Sequence, residues 1–475
     1  MLKNHSLFVV TDMSRNWLIK QADAVFTGET HSVNNPVTDI RIHNGIITEI
    51  GTNLTPLDCS NEALASETIV DAKGCVIYPA FCNTHHHLAQ SVLKAVPTGL
   101  NQGLGEWLQS VPYRFWPKMP AELVYLAAKM GLIDMLRSGV SICADHHYLY
   151  HLHSSSAVEQ AIWQAADELG IRLVLCRGGA NIIGSHKGMR NMGIEPETLD
   201  VTLSRLQATK AHYHQDGGDA YRKLVVAPTS LIHSQTPDQL IELAAFAKQH
   251  QLKRHSHLLE VGFDEQQSQI KYGMSAIDYV ESIGWLDEEV SFAHLVQSND
   301  TGIAQLGQAR CTMSHCSTSN LRLGSGIAPV LAMQQQGVNI TIGVDGSASS
   351  ENASMLQELN LAWLLHRGQG DATATSVDEI IRWGSQNGAE FFGFNSGSIA
   401  VGKNADLVLW DVSSLRYRGC HDLLVAPIVA GEPATIKNMF IAGKEVVNNG
   451  QVNNVDYEAL GEQVTASLTA LLKEI

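Results

Sequence analysis

The sequence is short of positive charge, and this shortage limits the partners that the protein can have. Its 475 residues include 32 Lys and Arg against 48 Asp and Glu, which gives a formal net charge of −16. Such an excess of acidic groups repels phosphate backbones and anionic lipid, and it offers no basic stripe to either. We therefore expect no nucleic-acid partner.

Long apolar runs and closely paired cysteines are also missing. No stretch approaches the roughly 18 uninterrupted apolar residues that a transmembrane helix needs, and residues 1–16 contain neither a basic leader nor a small-residue cleavage site. None of the eight cysteines forms a C-x-x-C pair, which favours reduced, mostly buried thiols. We expect a soluble, cytoplasmic protein without a membrane partner.

Several common catalytic motifs are absent as well. The sequence has no H-E-x-x-H, no P-loop, no G-x-S-x-G elbow, and no H-x-E with P-C-x-x-C. These absences argue against the corresponding metalloproteases, NTPases, serine hydrolases and cytidine-type zinc deaminases. Apolar residues, in contrast, are plentiful: 44% of the chain is hydrophobic and only 17% is charged. That composition is typical of a folded protein with a large core.

Eight short apolar runs recur along the middle of the chain, each ending in polar residues and followed by an amphipathic helical stretch. Continuous apolar character is typical of strands buried on both faces of a parallel sheet. The pattern favours an α/β fold with a (β/α)8 TIM barrel over an open, doubly wound sheet. The runs cover residues 75–82, 140–144, 171–176, 224–227, 252–257, 290–296, 310–316 and 338–344.

The two ends of the chain are β-rich and differ from the middle. Short strand patterns with turn signals such as Asn44-Gly45 occupy residues 17–51 and 70–73 near one end, and residues 406–410 and 439–447 near the other. We predict a small β-sandwich domain formed by both termini, residues 1–78 and 395–475, with the barrel over residues 79–394. A final amphipathic helix over residues 457–472 is expected to cap the sandwich.

Ionisable residues recur at the carboxyl ends of the predicted barrel strands, where barrel enzymes build their active sites. His85 and His87 follow the first run, and period-two alternation sends both side chains to one side. The later strand ends contribute His257, Glu260, His294 and Asp345. Burying such groups unpaired costs on the order of several kcal/mol each, so a shared metal ion is favoured. Nitrogen and carboxylate donors without thiolate suit Zn²⁺, or alternatively Fe²⁺.

At these residues the sequence resembles the amidohydrolase superfamily, and the resemblance covers nearly the whole chain. It is carried by PAFCNTHHH (79–87), ADHHY (144–148), SHCSTSN (314–320) and GVDGSAS (343–349), which resemble segments of 8-oxoguanine deaminases. Residues 75–79, 112–115 and 177–180 are more similar to isoxanthopterin deaminases.

This resemblance implies a barrel flanked by a sandwich, and a metal-dependent hydrolytic deaminase that releases ammonia from a small bicyclic substrate. We favour isoxanthopterin or a related pterin. Alternatives are an 8-oxoguanine or guanine deaminase, a triazine hydrolase, and a non-catalytic barrel that only binds ligands. Family analogy also suggests a homodimer.

The resemblance also implies roles for individual residues. The metal ligands would be His85, His87, His257 and Asp345. No Lys follows the fourth run, where residues 227–230 read Ala-Pro-Thr-Ser, so a single divalent ion is implied. We expect Asp345 with His294 to accept a proton from the attacking water, and Glu260 to protonate the ring nitrogen and then the departing ammonia.

Substrate contacts are expected from polar and flat side chains around the same rim. The candidates are Gln90, Trp107, Tyr148, Arg177 and Asn320. Gln90 offers both a donor and an acceptor to a lactam edge. Trp107 is equally compatible with a place in the core, and Arg177 with an ion pair to Asp145. Asn320 would either touch the ring or hold the loop after the seventh strand.

Overall fold

The structure is a computed structural model, and it describes residues 16–28, 37–57, 67–184 and 187–474. Its strands are β1 (Trp17–Lys20), β2 (Ala24–Val25), β3 (Asp39–His43), β4 (Ile46–Gly51), β5 (Thr68–Asp71), β6 (Cys75–Pro79), β7 (Phe81–His86), β8 (Val140–His147), β9 (Arg172–Arg177), β10 (Arg222–Val226), β11 (Arg254–Leu258), β12 (Val290–His294), β13 (Thr312–His315), β14 (Asn339–Ile342), β15 (Leu407–Asp411), β16 (Thr435–Ile441), β17 (Lys444–Asn448) and β18 (Gln451–Val452).

The α-helices are α1 (Leu104–Ser110), α2 (Pro112–Phe115), α3 (Ala121–Arg137), α4 (Ser156–Leu169), α5 (Lys187–Asn191), α6 (Leu199–Tyr213), α7 (Pro237–Gln249), α8 (Phe263–Tyr272), α9 (Ala276–Ser282), α10 (Asp300–Gln308), α11 (Ser317–Arg322), α12 (Val330–Gln335), α13 (Ser347–Ser350), α14 (Met355–Gln369), α15 (Val377–Gly384), α16 (Gln386–Phe391), α17 (Ala426–Ala430) and α18 (Tyr457–Glu474). Short 3-10 helices span Leu88–Val92, Pro97–Gly99, Trp116–Lys118 and Leu415–Tyr417.

Strands β7 to β14 form the predicted barrel. They lie side by side in chain order, and each neighbouring pair is parallel. Between the first and last strands, the Asp345 backbone N–H donates to the His85 carbonyl at 2.9 Å, and the Thr84 hydroxyl donates to the Ile342 carbonyl at 3.0 Å. These bonds bring the two edges together and nearly close the barrel. The predicted (β/α)8 fold is therefore confirmed, with its carboxyl strand ends meeting on one face.

Strands from both ends of the chain form the predicted sandwich. One sheet has the order β4-β3-β1-β5, and the other has the order β18-β17-β16-β15-β6-β2, so the second sheet mixes strands from the two termini. Ile19 and Ile40 of the first sheet share one apolar cluster with Ile77, Leu409 and Phe440 of the second. Two sheets with a common core between their faces are a β-sandwich.

The first apolar run is divided between the sandwich and the barrel and does not form a single barrel strand. Its first half is β6, which pairs with β15 of the sandwich, and its second half is β7 of the barrel. The switch takes place at two consecutive residues: the Ala80 N–H bonds to the Asp406 carbonyl, whereas the Phe81 N–H bonds to the Gly139 carbonyl. Both halves are fully buried, so hydrophobicity alone could not show where one sheet ends.

Two barrel helices begin with the same local arrangement. Thr236 caps α7 through a capping box with Gln239, and Ser376 caps α15 in the same way with Glu379. The last helix, α18, differs from expectation because it packs mainly against α3 of the barrel instead of capping the sandwich.

Seven cysteines are free thiols, and all of them except Cys420 are buried. Cys59 lies outside the described residues. Within the described ranges, no helix combines the length and the apolar character that a membrane crossing requires.

Candidate metal centre and active site

Four side chains from distant parts of the sequence converge at the carboxyl end of the barrel. His85 Nε2 and His87 Nε2 lie 3.4 and 3.3 Å from Asp345 Oδ1, and His257 Nε2 lies 3.3 Å from His87 Nε2. The structure thus brings together all four residues expected to be metal ligands. His294 joins His85 and Asp345 in a second, overlapping group of metal-compatible donors.

In each of the three histidines, His85, His87 and His257, the outer nitrogen Nδ1 has a hydrogen-bond partner behind the ring. The inner nitrogens, Nε2, face one another at the centre. His87 Nδ1–H donates to the His146 carbonyl and His257 Nδ1–H donates to the Thr229 carbonyl, both at 2.7 Å. Protonation at Nδ1 leaves a lone pair on each Nε2, as a metal ligand requires. Burial lowers the pKa of His85 and of His257 well below the usual range, so both imidazoles are neutral.

His85 Nε2 is buried and has no hydrogen-bond partner among the described residues. Three imidazole nitrogens and one carboxylate oxygen are the donor set of a divalent metal with an open coordination position. The residues present therefore fit a single divalent ion.

Asp345 is held in a defined orientation by its neighbours. Its Oδ2 accepts a hydrogen bond from Ser319 Oγ at 2.5 Å, and its Oδ1 accepts one from the Gly346 N–H at 2.7 Å. Burial acts to raise the pKa of this carboxyl, but the neighbouring His85 and His87 imidazoles outweigh burial and hold the pKa well below its usual value. The Asp345 backbone has a φ of +61°, a left-handed conformation that Asp tolerates better than most residues.

Glu260 and His294 lie beside the four candidate ligands. His294 Nε2 is 3.6 Å from Glu260 Oε2, and Glu260 is buried. Burial raises the pKa of Glu260 to about 7, while His294 acts in the opposite direction. A carboxyl with this pKa carries its proton for much of the time near neutrality and can therefore donate it.

A cavity of about 660 Å³ opens directly onto this centre. Three of the expected substrate-binding residues line it, namely Gln90, Trp107 and Tyr148. Gln90 Nε2 donates to Tyr148 Oη at 2.9 Å, and Gln90 Oε1 is buried without a hydrogen-bond partner in the part of the chain that the structure describes. Trp107 Nε1 donates to the Ala348 carbonyl at 3.2 Å, which fixes the indole against the wall.

Arg177 is not among the residues that line the cavity, which corrects the expected substrate contact. Its guanidinium is buried and donates to both carboxylate oxygens of Glu197, at 3.1 and 2.9 Å, and it lies over the Tyr150 ring. The alternative pairing with Asp145 is not found among the described residues either: Asp145 Oδ1 accepts from the Leu88 N–H, and Asp145 Oδ2 lies 3.8 Å from His147 Nδ1. The direction of the side chain explains the error: Arg177 shares its strand face with Leu173 and Leu175, which pack under the barrel helices.

Asn320 lies behind His294 instead of in the cavity lining. His294 Nδ1–H donates to Asn320 Oδ1 at 2.9 Å. Asn320, on α11, therefore lies against His294 and is not among the described residues that line the cavity.

Two polar groups near the centre were not anticipated. His255 lies behind His85, with His255 Nε2 at 2.8 Å from His85 Nδ1. His233 donates to Asp264 at 2.9 Å and lines the cavity with it. The H-x-H spacing of His255 and His257 was a signal for the first group. No sequence motif indicated the second group, His233 with Asp264, because the position of the loop that carries His233 depends on tertiary packing.

The chain is similar to proteins of known family along nearly its whole length. The model of the Amidohydrolase family matches residues 76–446. An isoxanthopterin deaminase from an unknown prokaryotic organism is 37% identical over 484 residues, covering 98% of this chain and 99% of that protein. An 8-oxoguanine deaminase from Pseudomonas aeruginosa is 32% identical over 469 residues, covering 97% and 100%. The crystal structure of an amidohydrolase from an environmental sample of the Sargasso Sea has a TM-score of 0.82 at 34% identity, covering 97% and 99%.

Proposed function

Because the chain belongs to the amidohydrolase family and is a hydrolytic deaminase of heterocyclic amines, we propose that its substrate is a pterin, with isoxanthopterin as the first candidate. The observation that carries this proposal is the similarity to an isoxanthopterin deaminase at 37% identity over nearly the full length of both chains. An 8-oxoguanine deaminase at 32% identity makes that purine the second candidate.

The cavity supports a flat, bicyclic substrate with a lactam edge. The unpartnered Gln90 Oε1 would accept a hydrogen bond from a ring N–H, while Tyr148 Oη holds the amide in place from the other side. Trp107 and Tyr148 offer aromatic faces against which a planar ring packs. A space of about 660 Å³ accommodates a pteridine and also a purine, so shape alone does not separate the two candidates.

We propose that His85, His87, His257 and Asp345 hold one divalent cation, with Zn²⁺ as the first candidate. Members of the family are metal-dependent, and the donor set here contains only nitrogen and oxygen. When bound, such an ion supplies a hydroxide nucleophile at neutral pH, since it lowers the pKa of water from 15.7 to about 7.

The remaining chemistry is assigned to three side chains. The Asp345 carboxylate, with His294 beside it, accepts the proton of the attacking water. The Glu260 carboxyl, which is protonated for much of the time near neutrality, gives its proton to the ring nitrogen next to the amine-bearing carbon. The ionised Glu260 then takes the proton of the hydroxyl group newly added to the carbon and passes it to the amine. The C–N bond breaks, ammonia leaves, and the proton held by Asp345 returns to Glu260. The transfers assigned to Glu260 need a group whose pKa lies near the working pH, and Glu260 meets this requirement.

The test is a substrate panel with purified, metal-loaded protein. Ammonia release is followed for isoxanthopterin, pterin, 8-oxoguanine, guanine and a hydroxytriazine, and the compounds are ranked by kcat/KM. We expect isoxanthopterin to rank first, and Gln90→Leu to lower its kcat/KM while leaving the bound metal in place. A higher kcat/KM for 8-oxoguanine or for the triazine than for both pterins would contradict the proposed substrate.

A further inference from the structure

The three candidate metal histidines differ in what holds their outer nitrogens. His87 and His257 each donate from Nδ1 to a main-chain carbonyl, which every residue type supplies. His85 is different, because its Nδ1 lies 2.8 Å from Nε2 of the His255 side chain. The orientation of His85 therefore depends on the identity of one other residue.

His255 is itself fixed on its far side. Its Nδ1 lies 2.7 Å from Ser291 Oγ, and both residues are completely or almost completely buried. The contact follows from the register of the barrel, since His255 on β11 and Ser291 on β12 are direct partners in the parallel pairing. Each ring nitrogen of His255 thus has one side-chain partner.

We propose that His255 is a positioning residue of the metal centre, and that the series Ser291, His255, His85 sets the tautomer and ring orientation of His85. This inference rests on His85 being a metal ligand, as proposed above. If His85 Nε2 offers its lone pair to the ion, its proton is on Nδ1 and is donated to His255 Nε2. A neutral His255 then carries its own proton on Nδ1 and donates it to Ser291 Oγ. The one ring proton of each imidazole in the series then has one possible place.

Loss of His255 would leave the buried Nδ1–H of His85 without an acceptor. The ring would then be free to rotate, or to move its proton to Nε2, where it would compete with the ion. Side chains that hold a metal ligand from behind change metal affinity by about 10- to 100-fold when they are removed. The expected effect is a loss of affinity and not a loss of fold.

The experiment measures zinc affinity by chelator competition and, separately, the melting temperature of the metal-free protein. His255→Leu removes the acceptor, and His255→Gln keeps an acceptor and a donor in a side chain of similar length. The matched control is His366→Gln, which changes a buried histidine that hydrogen-bonds His315 and Gln369 on another side of the barrel. We expect zinc to bind about 10- to 100-fold more weakly to His255→Leu, with affinity restored to within a few-fold in His255→Gln.

The outcomes separate this inference from the proposed function. If the wild type binds no zinc, the proposed metal site is wrong and the inference falls with it. If the wild type binds zinc and His255→Leu binds it equally well, only the inference is overturned. A loss in His366→Gln as large as that in His255→Leu would also overturn it, because the effect would then be general to the barrel. If His255→Leu does not fold, zinc affinity is measured in Ser291→Ala instead. A weaker affinity in that variant supports the proposal, and an unchanged affinity contradicts it.

Discussion

His294 Nδ1–H donates a hydrogen bond to Asn320 Oδ1 at 2.9 Å, from a backbone position that has a φ of +77°. A left-handed conformation is costly for histidine and persists only where the surrounding structure maintains it. The bond leaves His294 Nε2 directed at Glu260, 3.6 Å away. Asn320 thus connects α11, which also carries Ser319 beside Asp345, to the proposed proton-transfer groups.

Asn320→Ala should therefore lower kcat and leave the binding of substrate unchanged. Leaving the buried Nδ1–H of His294 without an acceptor costs about 1–3 kcal/mol, which corresponds to about 10- to 100-fold in kcat if the cost falls on the transition state. KM should change little, because Asn320 does not line the cavity. Asn320→Asp keeps the acceptor oxygen and is the control. A rise in KM with kcat unchanged would show that Asn320 binds substrate after all.

Glu260 should impose a pH limit on the reaction. Burial raises its pKa to about 7, and its proposed role requires the protonated form. The protonated fraction falls as the pH rises through that value, so kcat/KM should decline above about pH 7. The measurement is a pH profile of kcat/KM for the best substrate of the panel.

Glu260→Gln is the matched variant for this profile. It preserves the size of the side chain but cannot donate the proton, and positioned proton transfer is typically worth about 10²- to 10⁴-fold in rate. We expect a loss of that size, full retention of the metal, and no decline in the variant's profile near pH 7. Persistence of the same decline in Glu260→Gln would assign it to another group.

Removal of the metal should abolish activity and lower thermal stability together. An ion that binds only the folded protein stabilises it by about 2.7 kcal/mol when its free concentration is 100 times its Kd. Dialysis against a chelator should stop ammonia release and lower the melting temperature, and added Zn²⁺ should restore both. Full activity of protein shown by elemental analysis to be metal-free would contradict the proposed centre.

The sequence predicted the site where a strand end was sufficient to define it. His257, His294 and Asp345 close or directly follow parallel strands, and the ends of such strands meet on one face of a barrel, so convergence could be inferred without coordinates. Arg177 is also the last residue of a strand, but its position at the strand end does not determine whether its side chain points into the barrel or towards the helices. Val174 and Cys176 pack among side chains of neighbouring strands, so the intervening residues point the other way, but the continuous apolar run did not show which of its residues face which side.

Contacts between side chains that are far apart in the sequence could not be predicted in this way. Glu197 meets Arg177 because the loop before α6 folds back over β9, and no local pattern encodes that path. The same holds for His255, whose H-x-H spacing was visible but whose partners His85 and Ser291 come from two other strands. Interactions of this kind depend on strand register, which the apolar pattern specifies only to within one or two residues.

The corrected place of Arg177 leads to a prediction about stability. Its pair with Glu197 is buried, and removing one partner of a buried ion pair costs about 3–5 kcal/mol where the other charge is left uncompensated. Glu197 keeps its contact with the partly exposed Arg205, so the cost should be about 3 kcal/mol, the lower end of that range. Arg177→Met should therefore lower the free energy of unfolding by about that amount, measured by urea denaturation. The control Arg222→Met breaks the partly exposed pair with Asp167 and should cost about 0–1 kcal/mol. If the Arg177 variant instead keeps its stability and loses substrate affinity, the side chain reaches the substrate in solution and its assignment to the structural pair is wrong.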